Sequence, residues 1–162
     1  MRWFVLRVKN KKAQAIADKI GWDHCWLPVG KKWTKPARKH KPIEVEINLI
    51  PGWLFVQEHR HAACQGLDGV YGTLKYGRQG VLWIKDEDLN ELRDACNPAP
   101  DAVEPKLDAV HEVFSVGSTV KLRGLLYGRL GVVTAILPGD LYKVQVDFMS
   151  VQVHARLLER PN

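Results

Sequence analysis

Asn48-Leu-Ile-Pro-Gly-Trp-Leu-Phe-Val56 is the stretch on which the reading of the fold turns. Apolar residues run almost unbroken on both sides of Pro51-Gly52, a pair that removes one backbone donor and permits one unusual dihedral. The segment therefore reads as a buried strand with an interruption. Upstream, Ile43, Val45, Ile47 and Leu49 alternate with Glu44, Glu46 and Asn48, the period-two pattern of a strand with one wet face, which the quoted stretch continues.

Toward the N-terminus, residues 31–42 hold six Lys or Arg, one His, one Trp and no acid. Two prolines and the lack of any period predict a loop or hairpin tip. Lys31, Lys32, Lys35, Arg38, Lys39 and Lys41 suit an arm that follows nucleic acid phosphates, with Trp33 able to stack on a base; a solvated turn is the plainer alternative. Trp22 to Val29 reads as a short strand. Ala13, Ile16, Ala17 and Ile20 fall at helical spacing before Gly21, predicting an amphipathic helix, and Trp3 to Val8 is apolar enough to be a central strand.

Downstream, a short helical or turn segment over His59 to Gln65 and a glycine-containing loop lead to a short strand at Val81 to Ile84. Asp86 opens a helix with acids in its first turn and an apolar stripe of Leu89, Leu92, Ala95 and Cys96. Residues 98–112, with Pro98, Pro100 and Pro105 among Asp101, Glu104, Asp108 and Glu112, read as an acidic linker between an N-terminal domain, 1–97, and a C-terminal one, 113–162. Short strands separated by glycine turns predict a small closed barrel after it. The fold class expected is α+β, an antiparallel sheet flanked by helices, followed by a small all-β barrel.

The 162 residues carry a net charge of +6, distributed as +6 over residues 1–96, −3 over 97–112 and +3 over 113–162. Two basic lobes joined by an acidic connector favour polyanionic partners. Cys25, Cys64 and Cys96 are odd in number and widely spaced, against a disulfide framework or zinc ribbon and in favour of a reducing cytoplasm. No signal peptide or membrane span is expected. His59 and His61 lack a Cys or acidic partner and read as surface residues, so no metal or cofactor is expected. The sequence presents no nucleophile–base pair, phosphate-cradling glycine loop or paired carboxylates for catalysis.

Two sets of residues carry a resemblance. Phe114-Ser-Val-Gly-Ser-Thr-Val120 followed by Gly124-Leu-Leu-Tyr-Gly128-Arg-Leu-Gly131-Val-Val133 resembles the KOW motif of NusG-type transcription factors. Gly128 and Gly131 would let a tight loop turn back into a strand, while Val120, Val132 or Val133, and Ile136 would fill the barrel. Trp3-Phe4-Val5, the helix after Lys12, Leu27-Pro28, the basic connection, Ile50-Pro51-Gly52-Trp53-Leu54-Phe55-Val56 and Ile84 to Leu92 are similar, in order and spacing, to the NusG N-terminal (NGN) domain.

The resemblance implies a non-catalytic, monomeric cytoplasmic factor, bacterial and nucleoid-associated during transcription. It would ride on RNA polymerase through the clamp helices of the largest subunit and reduce pausing or termination. Ile50, Pro51, Gly52, Trp53 and Phe55 fall at the family's polymerase pocket, with Trp3 or Phe4 completing its wall. The arm would reach upstream or non-template DNA, and the barrel would recruit a ribosomal protein or termination factor. Leu125-Leu126 replaces the usual Pro-Phe, and Phe148-Met149-Ser150 the usual Phe-Gly-Arg, departures on the recruiting face that suggest a specialised antitermination paralogue. The alternatives are core packing for the pocket residues, favoured for Trp3 and Phe4, and an RNA- or ribosome-binding KOW protein for the whole chain. A helical-hairpin C-terminal domain is disfavoured by the strand character of Lys143 to Phe148.

Overall fold

The computed structural model describes residues 1–34, 37–38, 41–97 and 113–162. The expected linker, 98–112, and the arm residues Lys35 and Lys39 lie outside the described residues. Strand β1 (Arg2–Val8) is central, as its two-sided apolar sequence predicts. It pairs antiparallel with β5 (Trp53–Gln57) on one side and with β6 (Val70–Thr73) and β7 (Trp83–Lys85) on the other, and β5 carries β2 (Cys25–Trp26) at its far edge. The strand expected over Trp22 to Val29 is thus only two residues long, and Val29 opens a different one.

Helix α1 (Ala13–Ile20) follows a 3-10 turn at Asn10–Lys12 and ends at Gly21. Its buried stripe is the predicted one, Ala13, Ile16, Ala17 and Ile20. Helix α2 (Glu58–Cys64) continues directly from β5, and α3 (Asp86–Cys96) from β7. Asp86, Glu87 and Asp88 crowd the first turn of α3, where carboxylates meet the positive end of the macrodipole.

The stretch around Pro51-Gly52 departs from the expectation of one interrupted strand. Strand β3 (Val29–Thr34) and β4 (Ile43–Asn48) form a two-stranded sheet of their own, so Lys31, Lys32 and Trp33 stand in a strand rather than a loop. Ile50 to Trp53 is a reverse turn: the Trp53 N–H donates to the Ile50 carbonyl at 3.3 Å, and Gly52 takes φ 83°. Proline at the second position and a positive-φ glycine at the third are the requirements of a type II turn. The pair that looked like a bulge therefore hands the chain from one sheet to another.

The C-terminal lobe is a five-stranded antiparallel sheet in the order β11 (Met149–His154), β10 (Leu141–Val146), β9 (Leu130–Leu137), β8 (Thr119–Leu122), β12 (Leu158–Glu159). Val120, Leu122, Val133, Val144, Val146, Val151 and Val153 are buried, and the Phe114 ring meets Tyr142 edge-on at 5.9 Å. Two expectations need correction here. Because Val133 points inward, the strand alternation turns Val132 and Ile136 outward, and both are exposed. Gly131 is not a turn residue but a strand residue at a close approach: a Cβ there would lie 2.5 Å from Val144 Cγ1 and 2.8 Å from Val146 Cγ2. Gly128, at φ 65°, does turn the chain.

All three cysteines are free and buried. Burial pushes the Cys25 thiol to about 11, the Cys96 thiol to about 12, and raises that of Cys64. Thiols held protonated and out of solvent are poor nucleophiles, so a disulfide reagent at pH 8 should label none of them in the native protein and all three after denaturation. Gly131→Ala should overpack the C-terminal lobe, at a cost of about 1–3 kcal/mol, measurable as a lower denaturant midpoint.

Candidate interaction site

Pairing of β1 with β5 sorts the predicted pocket residues onto two faces. Trp3, Val5, Trp53 and Phe55 share one core cluster, whereas Leu6, Leu54 and Val56 belong to a second one beneath α1. Phe4 sides with the second face and stacks on His61, ring centroids 4.4 Å apart. It therefore does not complete a wall with Trp3. Burial in this packing pulls the His61 pKa below its ordinary value.

On the first face the aromatic residues are positioned by named partners. The Trp3 indole N–H donates to Asp86 Oδ1 at 2.6 Å, tying β1 to the first turn of α3. The Arg93 guanidinium lies 5.3 Å from the Trp3 ring and 5.6 Å from that of Trp26. Trp26 in turn tilts against Phe55 at 5.3 Å. Ile50 joins this face, its N–H bonded to Asn48 Oδ1 at 3.1 Å. Pro51 and Gly52 are half-exposed beside Arg7 and the exposed Tyr71.

The C-terminal lobe is seated on this face. Ile50, Trp53 and Phe55 are 0, 7 and 0% exposed, in a cluster that runs on through Leu89, Leu92 and Cys96 into Val120, Leu122, Tyr142 and Val151. Backbone meets backbone at Gly124, where a Cβ would fall 2.8 Å from Leu92 Cα; its φ of 61° also serves the turn after β8. The Arg156 guanidinium donates to the Cys96 carbonyl, at the C-terminus of α3, and to the Lys31 carbonyl, both at 2.9 Å. Its burial lowers its pKa. The His154 N–H donates to the Leu49 carbonyl at 2.8 Å. At another edge Asp147 accepts from the Tyr76 hydroxyl and pairs with Arg129, which also lies 5.3 Å from the Tyr76 ring.

The basic residues are placed more loosely. Lys31 Nζ pairs with Glu44 at 3.3 Å and Lys32 Nζ with Asp140 of the C-terminal lobe, also at 3.3 Å. Arg38 and Lys41 are exposed. Of the motif residues, Val120 and Val133 are core, Gly124 is an interface residue, and Gly128 and Gly131 act within the lobe. Sequence reading missed Arg156, His154, Tyr76, Asp140 and Asp147. Each lies far along the chain from its partner, and none stands in a pattern that local spacing would reveal. Among the described residues no three His, Cys, Asp or Glu side chains are grouped to hold a metal, and no helix is long and apolar enough to cross a membrane.

The family model NusG, described as transcription termination factor nusG, matches residues 1–93. No curated protein sequence matches significantly. Among solved structures, one of domain interaction in Thermotoga maritima NusG is 17% identical, covering 100% of this chain and 98% of that one at a TM-score of 0.43. A structure of the MjSpt4:Spt5 complex is 11% identical, covering 97% of this chain and 96% of that one at a TM-score of 0.33. The family match, spanning more than half of the 162 residues, is what decides identity: this chain belongs to the NusG family of transcription factors.

Proposed function

We propose that the chain is a transcription elongation and antitermination factor that grips the clamp helices of the largest RNA polymerase subunit with the sheet face of Trp3, Ile50, Trp53 and Phe55. The β3–β4 hairpin reaches toward DNA across the channel, and the bridge reduces pausing or termination by binding the closed, active polymerase better than a paused one. Beyond family membership, one observation supports this reading. Apolar side chains from β1, β5 and the turn between β4 and β5 converge on one face, and what covers them is α3 together with a separate sheet whose edge contacts include Lys32–Asp140 and Tyr76–Asp147. Contacts between domains of one chain resemble transient protein–protein interfaces unless they are large and hydrophobic.

On this reading the C-terminal lobe, a KOW barrel in domain terms, is a removable cover. Polymerase affinity is then the intrinsic affinity reduced by the fraction of molecules that are open. Once released, the lobe recruits a further partner, and Phe148, 92% exposed at the β10–β11 turn, is one apolar contact it offers. Leu125 and Leu126, beside the interface residue Gly124, are both buried while the lobe is seated.

In pull-downs of core RNA polymerase, full-length Gly124→Ala should bind several-fold more tightly than wild type, because its Cβ meets the α3 backbone only when the lobe is seated. Adding Trp53→Ala should abolish that gain while circular dichroism keeps its strand signal. Single-round transcription should show read-through rising with binding; a protein that ignores polymerase yet holds RNA would instead be an RNA-binding KOW protein.

Acid offers a second handle. The Tyr76 hydroxyl, and then Arg129, hold the Asp147 carboxyl below its usual range. A depressed carboxylate pKa favours the seated state fully above the ordinary value, and that contribution is lost as pH falls through the depressed one. Because the pair is exposed and screened, its loss weakens the seat only slightly: the radius of gyration from X-ray scattering should stay constant from roughly pH 8 to 5 and rise at most modestly below about 4.

A further inference from the structure

Sequence spacing sets His59 beside His61, but residues two apart on a helix do not share a face. His61 turns to Phe4 and Thr73. The ring that meets His59 is that of His24, just before β2, with ring centroids 5.0 Å apart and planes at 89°. Backbone pairing sets both residues in place. The Gln57 N–H donates to the His24 carbonyl at 3.0 Å, extending the β2–β5 ladder by one residue, and the His24 N–H donates to the Gly21 carbonyl at 2.9 Å. His59 stands in the first turn of α2, which begins directly after Gln57.

One hydrogen bond decides what His24 offers. Its Nδ1 lies 3.0 Å from Gln57 Oε1, and an amide oxygen only accepts, so in the neutral ring Nδ1 carries the proton and the Nε2 lone pair is left available. Metal-bound imidazoles are oriented in this way, by donating the other ring N–H to an oxygen. Among the described residues no hydrogen bond holds the exposed His59 ring, which can turn a nitrogen toward the same point. Cys25, next in the chain, is no competing ligand: its thiol donates to the Ala17 and Gly21 carbonyls, and burial keeps it protonated.

The spacing of the rings fits a shared ion. An imidazole nitrogen sits about 2.0–2.1 Å from such a metal, which puts the ring centre about 3.2 Å away, and two rings at about 90–109° around the ion are then about 4.5–5.2 Å apart. The observed 5.0 Å falls within that range. Perpendicular aromatic rings also pack at this distance. The Gln57 bond, which a packing contact does not need, favours coordination.

We propose that His24 and His59 form a two-imidazole site for a divalent transition metal ion, Cu²⁺, Ni²⁺ or Zn²⁺, with Gln57 as its positioning residue. Imidazole donors suit these ions, whereas Mg²⁺ and Ca²⁺ require oxygen ligands. Two protein ligands leave coordination positions open to water, so the ion exchanges rather than holding the fold together. Once bound, it links the edge of the sheet at β2 to the start of α2. The proposal needs neither polymerase nor nucleic acid.

The test is calorimetric titration of the full-length chain with NiCl₂, together with electron spin echo spectroscopy of the CuCl₂ complex, which distinguishes one bound imidazole from two. Wild type should take up one ion with the two-imidazole signature, and Ni²⁺ should raise its thermal midpoint. His24→Ala and His59→Ala should each weaken binding at least tenfold and remove the two-imidazole signature, with His24→Gln and His59→Gln serving where an alanine variant fails to fold. His61→Gln should bind as wild type does. Gln57→Leu should weaken binding about tenfold with both imidazoles retained, and Gln57→Glu, whose carboxylate also accepts, should restore it. Binding indifferent to His24 or His59, or a one-imidazole signature in wild type, overturns the site and assigns the ion to other histidines. Wild-type affinity in Gln57→Leu removes the positioning role.

Discussion

The antiparallel register of β1 against β5 is the constraint from which the other features follow. Trp3 opposite Gln57, Val5 opposite Phe55 and Arg7 opposite Trp53 set one face, and the intervening Phe4, Leu6, Leu54 and Val56 set the other. A slip of one residue would exchange the two faces completely. In the observed register α1 and α2 cover the second face, and the first is left for α3, the turn at Pro51-Gly52 and the C-terminal lobe. Burying both faces explains why these strands are nearly continuous in apolar residues.

Much of this was legible. The alternation at Ile43 to Asn48, the helical spacing from Ala13 to Ile20 and the acids after Lys85 each state a local preference that the fold keeps. Local preference fails where two segments distant in sequence decide the outcome. Pro51-Gly52 is compatible with a bulge or a type II turn, and only the separate pairing of β3 with β4 selects the turn. Ile136 is as apolar as Val133, yet the parity of β9 sends it to solvent.

The candidate site divides along the same line. That Trp53 and Phe55 would share a face with Trp3 follows from period two, once the strands are known to be antiparallel with this register. That Phe4 would not share it follows from the same rule, which decides between Trp3 and Phe4, the two residues the resemblance offered for the wall. The seat of the C-terminal lobe was beyond reach, because Arg156, Asp140 and His154 act on backbone carbonyls and one lysine more than a hundred positions away in most cases. Carbonyl acceptors leave no mark on the side-chain sequence.

The sheltered face bears also on solubility. Trp3, Ile50, Trp53 and Phe55 lie together on the sheet, and were the face bare, the unengaged protein would present a contiguous apolar patch of the kind that drives self-association. A cover carried on the same chain removes that hazard without a chaperone, and does so at any protein concentration, since the event is intramolecular.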